Sequence, residues 1–441
     1  MAVNWSVFYQ RRWVLVYLPS ITLAIAAFVW LGWYVFPPPP NQITITSGAA
    51  EGMYHQHALR YAEFFTRHGV QAQVLTSAGS AQNIQRLRDT LHPAQVGFVQ
   101  GGFGQLERAK ASENRTGIQI LANIDIEPLW IFSRIAGLDS LPQLQGLRVS
   151  IGAEGSGSRV MAVQLLAQVR LEPKDLVLSD ASGLAAAKAL EEGTLDVAMF
   201  VAAPKAQIVK AMLRIPGVHL VQLKHSTALT ERMPYLAPRL VAQGMLDEAT
   251  VQPGKDMVLL ATLASVVVSE NLHPALKRLA TAAAMEIHNE ATLLGRAGEF
   301  PSLKQADFPT ASEARQTLLH GLPWIEQKLS VGQAQLLWRL AFLALPLMVL
   351  VWLVCRLVPA YLHWVLQTHV NRWYGELKFI EYDLEQTQLS GLDFARFSLQ
   401  LTAVDTALGN FAAPQDFMQR LYMLRQHIHF VRQKLHSKRG R

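Results

Sequence analysis

The sequence predicts an α/β protein: a two-lobed domain flanked by two transmembrane helices and followed by a C-terminal helical hairpin. Three observations predict it. Strand-like and helix-like segments alternate from residue 43 to residue 288, breaking at Gly/Ser turns. Two apolar runs, 13–36 and 340–355, bracket that stretch. A heptad-spaced apolar seam then runs through the C-terminal tail.

At 441 residues the chain exceeds the usual size of one core, so two or more folding units are expected. Half the residues are hydrophobic and 17% are charged, a skew to which membrane segments contribute. The net charge is +7. The basic residues are nonetheless dispersed, with small clusters at Arg11-Arg12 and at Lys438, Arg439 and Arg441 that suit cytoplasmic flanks of membrane segments. No motif for nucleic acid accompanies them, so membrane topology explains the charge better. Cys355 is the only cysteine, which excludes an internal disulfide and a thiolate-built metal site. At the end of an apolar run it has no base to activate it.

The apolar run 13–36 is longer than the apolar core of a cleaved signal, about 7–15 residues, and reaches the length of about 20 that a bilayer needs. No small-residue cleavage site follows it. The run is expected to be an uncleaved anchor after a cytoplasmic N-terminus, 1–12, with Trp30, Trp33 and Tyr34 at the outer interface. A cleaved signal is the alternative. Residues 37–42, opening with Pro37-Pro38-Pro39-Pro40, form a semi-rigid spacer. The second run is short, but Arg339 and Arg356 can snorkel, which extends the span to 336–358 with a kink at Pro346. Trp338, Trp352, Tyr361 and Trp364 suit its interfaces. Here the alternative is a helix buried in the soluble domain. Two spans place both termini in the cytoplasm and residues 43–330 outside.

Within that domain, residues 43–46 read as a strand and 54–68 as a helix with Leu59, Ala62 and Phe65 on one face. The order recurs at 73–75, 81–88 and 96–99, and 129–132 is a strand leaving the unit. A second series runs through 147–151, 161–169, 176–178, 184–190 and 197–200. Residues 258–269 are strand-rich again, and 275–288 are helical. Such alternation implies mostly parallel sheets covered by helices. Two series imply two lobes and a cleft, the first lobe spanning 43–135 and 255–300 and the second 136–254.

The residues at the turns resemble a family. Thr46-Ser47-Gly48, Gly52-Met53-Tyr54, Ala78-Gly79-Ser80-Ala81-Gln82-Asn83 and the run Leu147-Arg148-Val149-Ser150-Ile151-Gly152-Ala153-Glu154-Gly155-Ser156-Gly157-Ser158 are similar to the TAXI-type solute receptors of tripartite ATP-independent periplasmic (TRAP) transporters. The resemblance covers residues 43–288. It implies a type II periplasmic-binding-protein fold that closes on a small solute bearing a carboxylate, such as an organic acid or amino acid, and a TRAP permease as partner. It also implies a bacterial inner-membrane setting with the domain in the periplasm. The two spans and the acids Glu51 and Glu154 beside the turns depart from the family's pattern.

Carried over by position, Gly48 and Tyr54 shape the first-lobe wall, Ser80 and Asn83 donate from the next helix start, and Ser156, Gly157 and Ser158 form the opposing jaw. The other reading of each Ser or Asn is a helix N-cap without a ligand, and Tyr54 alternatively packs as an ordinary aromatic. Arg159 could meet a carboxylate bidentately or pair with Glu154. Ala203-Pro204 could border the cleft. His55 and His57 stand two apart and do not face one another on a helix, so joint metal ligation needs a nonhelical backbone. Gly152, Gly155 and Gly157 do not match the dinucleotide spacing. No cofactor is expected, and no triad or paired carboxylates suggest an enzyme.

In the tail, Phe417, Leu421, Leu424, Ile428, Val431 and Leu435 step by 4, 3, 4, 3, 4. Leu377, Ile380, Leu384, Phe394 and Leu401 continue that register upstream, and residues 409–414 break it. A cytoplasmic helical hairpin over 367–441 follows, packing on itself or pairing with a second copy or another helical partner. A sensor that signals through this tail is the second function class, alongside the receptor.

Overall fold

The computed structural model describes residues 17–35, 37–110, 117–386, 390–411 and 415–439. Arg11-Arg12, residues 13–16 and 36 of the first predicted span, 412–414 of the predicted break and Arg441 fall outside them. The chain divides into two units, Pro38–Leu336 and the flanking segments Met1–Pro37 with Leu337–Arg441.

Helix α1 (Leu18–Val35) has a mean hydropathy of 1.7 and is long and apolar enough to cross a membrane. It buries only Gly32, where an added Cβ would stand 2.8 Å from Leu343 Cδ1. Residues 37–40 are neither helix nor strand.

The unit Pro38–Leu336 opens as β1 (Gln42–Thr46), α2 (Met53–Arg67), β2 (Gln71–Leu75), α3 (Ser80–Arg88), β3 (Val96–Gln100), α4 (Phe103–Lys110) and β4 (Ile118–Ser133). It continues as β5 (Arg148–Ser150), α5 (Gly157–Gln168), β6 (Val177–Leu178), α6 (Leu184–Glu191), β7 (Val197–Val201) and α7 (Gln207–Leu213). Next come β8 (His219–Leu220), α8 (Ser226–Arg232), β9 (Ala237–Val241) and β10 (Met257–Ser269). Helices α9 (Pro274–Ile287), α10 (Ser312–His320) and α11 (Trp324–Lys328) close it.

The strands run in the order β2-β1-β3-β10-β4-β7-β5-β6, with β9 on β10 and β8 on β4. β1 is parallel to β2 and β3, and β5 is parallel to β6 and β7, so each lobe has a βαβ core. Between them lie β4 and β10, antiparallel to one another and long enough to serve both lobes. β4 is buried almost throughout because it is covered on both faces. β4 lies between β10 and β7: its ladder to β10 ends at Pro128↔Ala261, and its ladder to β7, on the other edge, starts at Leu129↔Val201. A proline fits there because it cannot donate to a ladder on either side. At the same level β10 exchanges β9, last paired at Ala261, for β3, first paired at Ala264.

The lobe limits therefore differ from those expected. β4 passes into the second lobe at Leu129, before residue 135, and the first lobe regains chain beyond residue 300. Ser302 bridges to Asn123 and Thr310 to Ile120, while Ala311, Ala314 and Val331 join the first-lobe core of Ile43, Ile45, Phe65, Val96, Phe98, Val266 and Leu276. The second-lobe core gathers Ile131, Val149, Leu165, Val197 and Met199. Trp130 is fully buried behind it and donates from Nε1 to Ala202 O at 2.8 Å.

Helix α12 (Val331–Gln386) is 56 residues long and carries both Pro346 and Pro359. It contains a window of mean hydropathy 2.4 with no buried residue, the second segment apolar enough to cross a membrane. Helices α13 (Gly391–Gly409) and α14 (Gln415–Arg439) follow. The upstream register expected to run from Leu377 to Leu401 is broken at Ser390, whose hydroxyl accepts from Asp393 N at 3.3 Å while Asp393 Oδ2 accepts from Ser390 N at 3.2 Å. This capping box starts a new helix. The tail is consequently three helical segments, where a two-helix hairpin was expected. All six heptad residues are buried in one cluster with Leu366, Val370, Leu377, Leu384, Phe397 and Leu408. The seam is filled by this chain's own helices.

One cluster in the first-lobe core is polar. His57 and His288 lie with ring centroids 4.7 Å apart, beside Tyr61. His57 Nδ1, His288 Nε2 and Tyr61 Oη have no hydrogen-bond partner among the described residues. Burial pushes both histidines below the usual range, His57 to about 4, with Arg60 adding to the effect. Because the folded-state values are depressed, stability is complete above an unfolded value of about 6.5 and is lost as the pH falls below it. Denaturant unfolding is expected to show the domain weaker at pH 5.5 than at pH 7.5 by about 1 kcal/mol per histidine. His288→Leu should remove part of that pH dependence; an unchanged slope would show that the cluster is not its source.

Candidate functional site

Five helices begin around one cleft between the lobes, of about 490 Å³, lined by Gly48–Tyr54 residues ahead of α2, Gly79 and Ser80 of α3, Ser156–Ser158 at α5, Ser182–Ala185 at α6 and Ala206–Ile208 at α7. Local sequence explains the openness of these helix starts. The N-cap positions of α2, α3, α6 and α7 are Gly52, Gly79, Gly183 and Ala206, and none makes a side-chain cap. Gly79 sits at φ 131°, a conformation that side-chain-bearing residues rarely adopt. These helix starts, with the positive ends of their dipoles, thus stand at the cleft without a side-chain cap, although some first-turn N–H groups, those of His55, Gln82 and Ala185 among them, bond to backbone carbonyls. Only α5 is side-chain capped: Ser156 Oγ accepts from Arg159 N at 3.2 Å and donates to Ala153 O at 2.6 Å.

No lysine or arginine is among the lining residues. Any negative charge held here would be met by backbone donors and hydroxyls alone. Phe200, Ile208, Leu184 and Met53 supply apolar wall.

At the first-lobe wall, Tyr54 donates to Glu127 Oε2 at 2.7 Å. The Ser80 hydroxyl beside it accepts from Gln100 N at 3.0 Å. Burial raises the Glu127 carboxyl to about 8, with Asp125 adding to the rise and the Tyr54 bond opposing it. Burial likewise raises the Tyr54 hydroxyl, reinforced by the charge of Glu127.

The two jaws touch. Gln82 N donates to Gly155 O at 3.2 Å across the cleft mouth. A Cβ on Gly157 would lie 2.6 Å from Gln100 Oε1 and 2.8 Å from Ser80 Oγ, so glycine is what permits this approach.

Of the residues singled out in the sequence, Gly48, Tyr54, Ser80, Ser156, Gly157 and Ser158 all line the cleft. Ser80 follows the N-cap instead of occupying it, and Ser158 Oγ accepts from Val201 N at 3.0 Å, tying α5 to β7. Asn83 and Arg159 are not among the lining residues. The Asn83 side chain is fully enclosed: Nδ2 donates to Ser47 O at 2.7 Å and Phe98 O at 2.8 Å, while Oδ1 accepts from Thr46 at 2.6 Å. Its amide joins β1 to β3. The Arg159 guanidinium turns back to Gly152 O at 3.4 Å. Ala203 does border the cleft. His55 meets Ser47 Oγ at 3.1 Å while His57 joins the buried cluster, so the two point apart. Sequence reasoning missed Glu127, Gln100 and Gly183. An acid between Ile126 and Leu129 in a strand was the available signal for the first.

Asn83→Ala strands two buried carbonyls and one hydroxyl, and is expected to lower unfolding free energy by about 2 kcal/mol or more. Ser156→Ala, which removes a cap, should lose about 1 kcal/mol. Urea unfolding followed by tryptophan fluorescence checks both; equal stability of Asn83→Ala and the parent chain would show that the amide is not the fastening described.

Among solved structures, a Bordetella bronchiseptica RB50 protein is similar at 17% identity and a TM-score of 0.38, over 66% of this chain and 92% of that one. The periplasmic aliphatic sulphonate binding protein SsuA of Escherichia coli is similar at 14% identity and a TM-score of 0.33, over 55% of this chain and 67% of that one. PhnD1 of Prochlorococcus marinus, in complex with methylphosphonate, is similar at 12% identity and a TM-score of 0.36, over 56% and 85%. The model of the NMT1-like family matches residues 45–306, from the middle of β1 through every wall of the cleft. The chain belongs to the NMT1-like family.

Proposed function

We propose that the chain is a membrane-tethered receptor that binds a small organic acid or amino acid in the interlobe cleft and performs no chemistry on it. The observation that carries this reading is the convergence of five helix starts, four of them without a side-chain cap, on one cleft. Such helix starts suit a carboxylate, and the absence of lysine and arginine among the lining residues suits a singly charged, reversibly held one. Gly48, Tyr54, Ser80, Ser156, Gly157 and Ser158 are the proposed ligand contacts. Cleft closure about the β4–β10 pair would complete the last hydrogen bonds only with solute inside.

The two apolar helices support an anchor at each end of the domain, with the domain outside a bacterial inner membrane and both termini in the cytoplasm. The turn motifs that resemble TAXI-type receptors support a TRAP-type permease as the recipient of the solute. A second reading, a transmembrane sensor, draws on one observation: α12 is a single helix from Val331, whose N–H donates to His68 O at 3.1 Å, through the apolar window to the tail.

The test is a thermal-shift screen of the full chain in detergent against mono- and dicarboxylates, amino acids and sugars. A solute at 100 times its Kd adds about 2.7 kcal/mol of stability. A hit weakened by Tyr54→Phe and Ser158→Ala supports the receptor. Sugars alone as hits would sink the carboxylate reading. Uptake that survives deletion of residues 387–441, with a permease that copurifies, separates the receptor from the sensor.

A further inference from the structure

Resting on the receptor reading, one group in the cleft narrows the solute. Glu127 stands on β4 at its pairing with Thr262, beside the level where the lobes exchange strands, and is only 5% exposed. It is the acidic group deepest among the lining residues, since Glu51 lies exposed on a turn. Tyr54 occupies Oε2, and Oε1 accepts no hydrogen bond among the described residues. No arginine, lysine or histidine lines the cleft. A carboxyl so placed is without a counter-charge, an arrangement that is expensive unless it keeps its proton or a cation arrives.

We infer that Glu127 reads an ammonium group on the solute, so that the cleft takes amine-bearing acids in preference to the same acids without the amine. The two ends of such a solute match two unlike parts of the site. Its carboxylate suits the helix starts, which offer donors and no cation, and its ammonium suits the one buried acceptor. Tyr54 fixes the Glu127 carboxyl through Oε2 and leaves its second oxygen for the ligand. Tyr54 from α2 and Asp125 on the same strand are the titratable groups that act on Glu127; Lys205 acts on Asp125 and is not among the groups that shift Glu127.

The empty site holds its proton near neutrality, because burial raises Glu127 to about 8. An arriving ammonium displaces that proton to the buffer and pairs with the carboxylate. Affinity for an amino acid should therefore rise between pH 6.5 and 8.5. An acid without an amine is repelled once Glu127 ionises, so its affinity should fall over the same interval.

The experiment is calorimetric titration of the full chain in detergent with the common L-amino acids, each paired with the carboxylic acid lacking its amino group. Titrations are run in phosphate and in Tris to count protons released. The expected result is at least one amino acid bound tenfold or more tightly than its partner, with proton release at pH 7.5, and that preference lost in Glu127→Gln. Wild-type pH dependence decides the matter without the variant, should Glu127→Gln fail to fold. Acids bound equally with and without the amine, or a preference that persists in Glu127→Gln, overturns the assignment while leaving the receptor standing. A chain that binds no carboxylate of either kind overturns both.

Discussion

The antiparallel pair of β4 and β10 is the constraint on which the rest of the domain depends. Both strands contribute to both lobes, and both change a partner at the level of Pro128 and Ala261. The β4–β10 ladder ends at that level, beyond which β4 pairs with β7 and β10 with β9, so the two βαβ cores are joined through one strand pair with a line about which they can turn. Register irregularities at Ala264/Ser265 and Val266/Val267 fall just beyond that line, where a bulge adds local twist. Glu127 stands one residue from it, so the most unusual side chain of the cleft lies where relative lobe motion would be smallest.

From this axis the helices are placed so that their starts meet. In a parallel βαβ unit, each helix begins at the carboxyl end of the preceding strand, and two such units facing one another bring those ends together. The charge-stabilising property of the site then belongs to backbone orientation more than to side chains. Small residues at the caps serve it twice. They leave the helix starts without a side-chain cap, and at Gly157 they let one jaw settle against Ser80 and Gln100.

That division of labour explains what was legible in the sequence. The βα alternation was readable because period-2 and period-3.6 apolar patterns are written in side chains, and the strands at 43–46, 96–99 and 197–200 and the helices at 81–88 and 184–190 lie within a residue or two of the observed ones. The Gly/Ser turns were readable because their chemistry is local. Asn83 could not be told from a ligand donor, since its partners Ser47 O and Phe98 O are brought to it by the parallel pairing of β1 with β3. Glu127 was hidden for the complementary reason: an acid in a strand is ordinarily on the wet face, and only the tertiary pairing with β10 and the contact with Tyr54 place this one at the buried wall of the cleft. In the tail, the heptad spacing was clear, but Ser390 and Asp393 were not read as a capping box, so one helix was expected where two segments meet.

The two units treat apolar surface in opposite ways. In the tail, Phe417, Leu424, Ile428, Val431 and Leu435 are buried against the chain's own α12 and α13, so the seam needs no second copy to cover it. In α1 and the apolar window of α12 the large residues point outward, among them Leu23, Trp30, Leu340, Phe342 and Trp352. Contiguous apolar surface of that extent is not sustained in water, whereas a helix window of 18 residues with mean hydropathy 2.4 is stable in a bilayer, where its backbone bonds are satisfied internally. Arg339 and Arg356 bracket the uncharged stretch 340–355 of that helix, and long arginine side chains can reach towards head groups. A site built on backbone dipoles is weak compared with one built on arginines, and the proposed tether would offset this by raising the local concentration of a loaded domain without demanding tighter binding in the cleft.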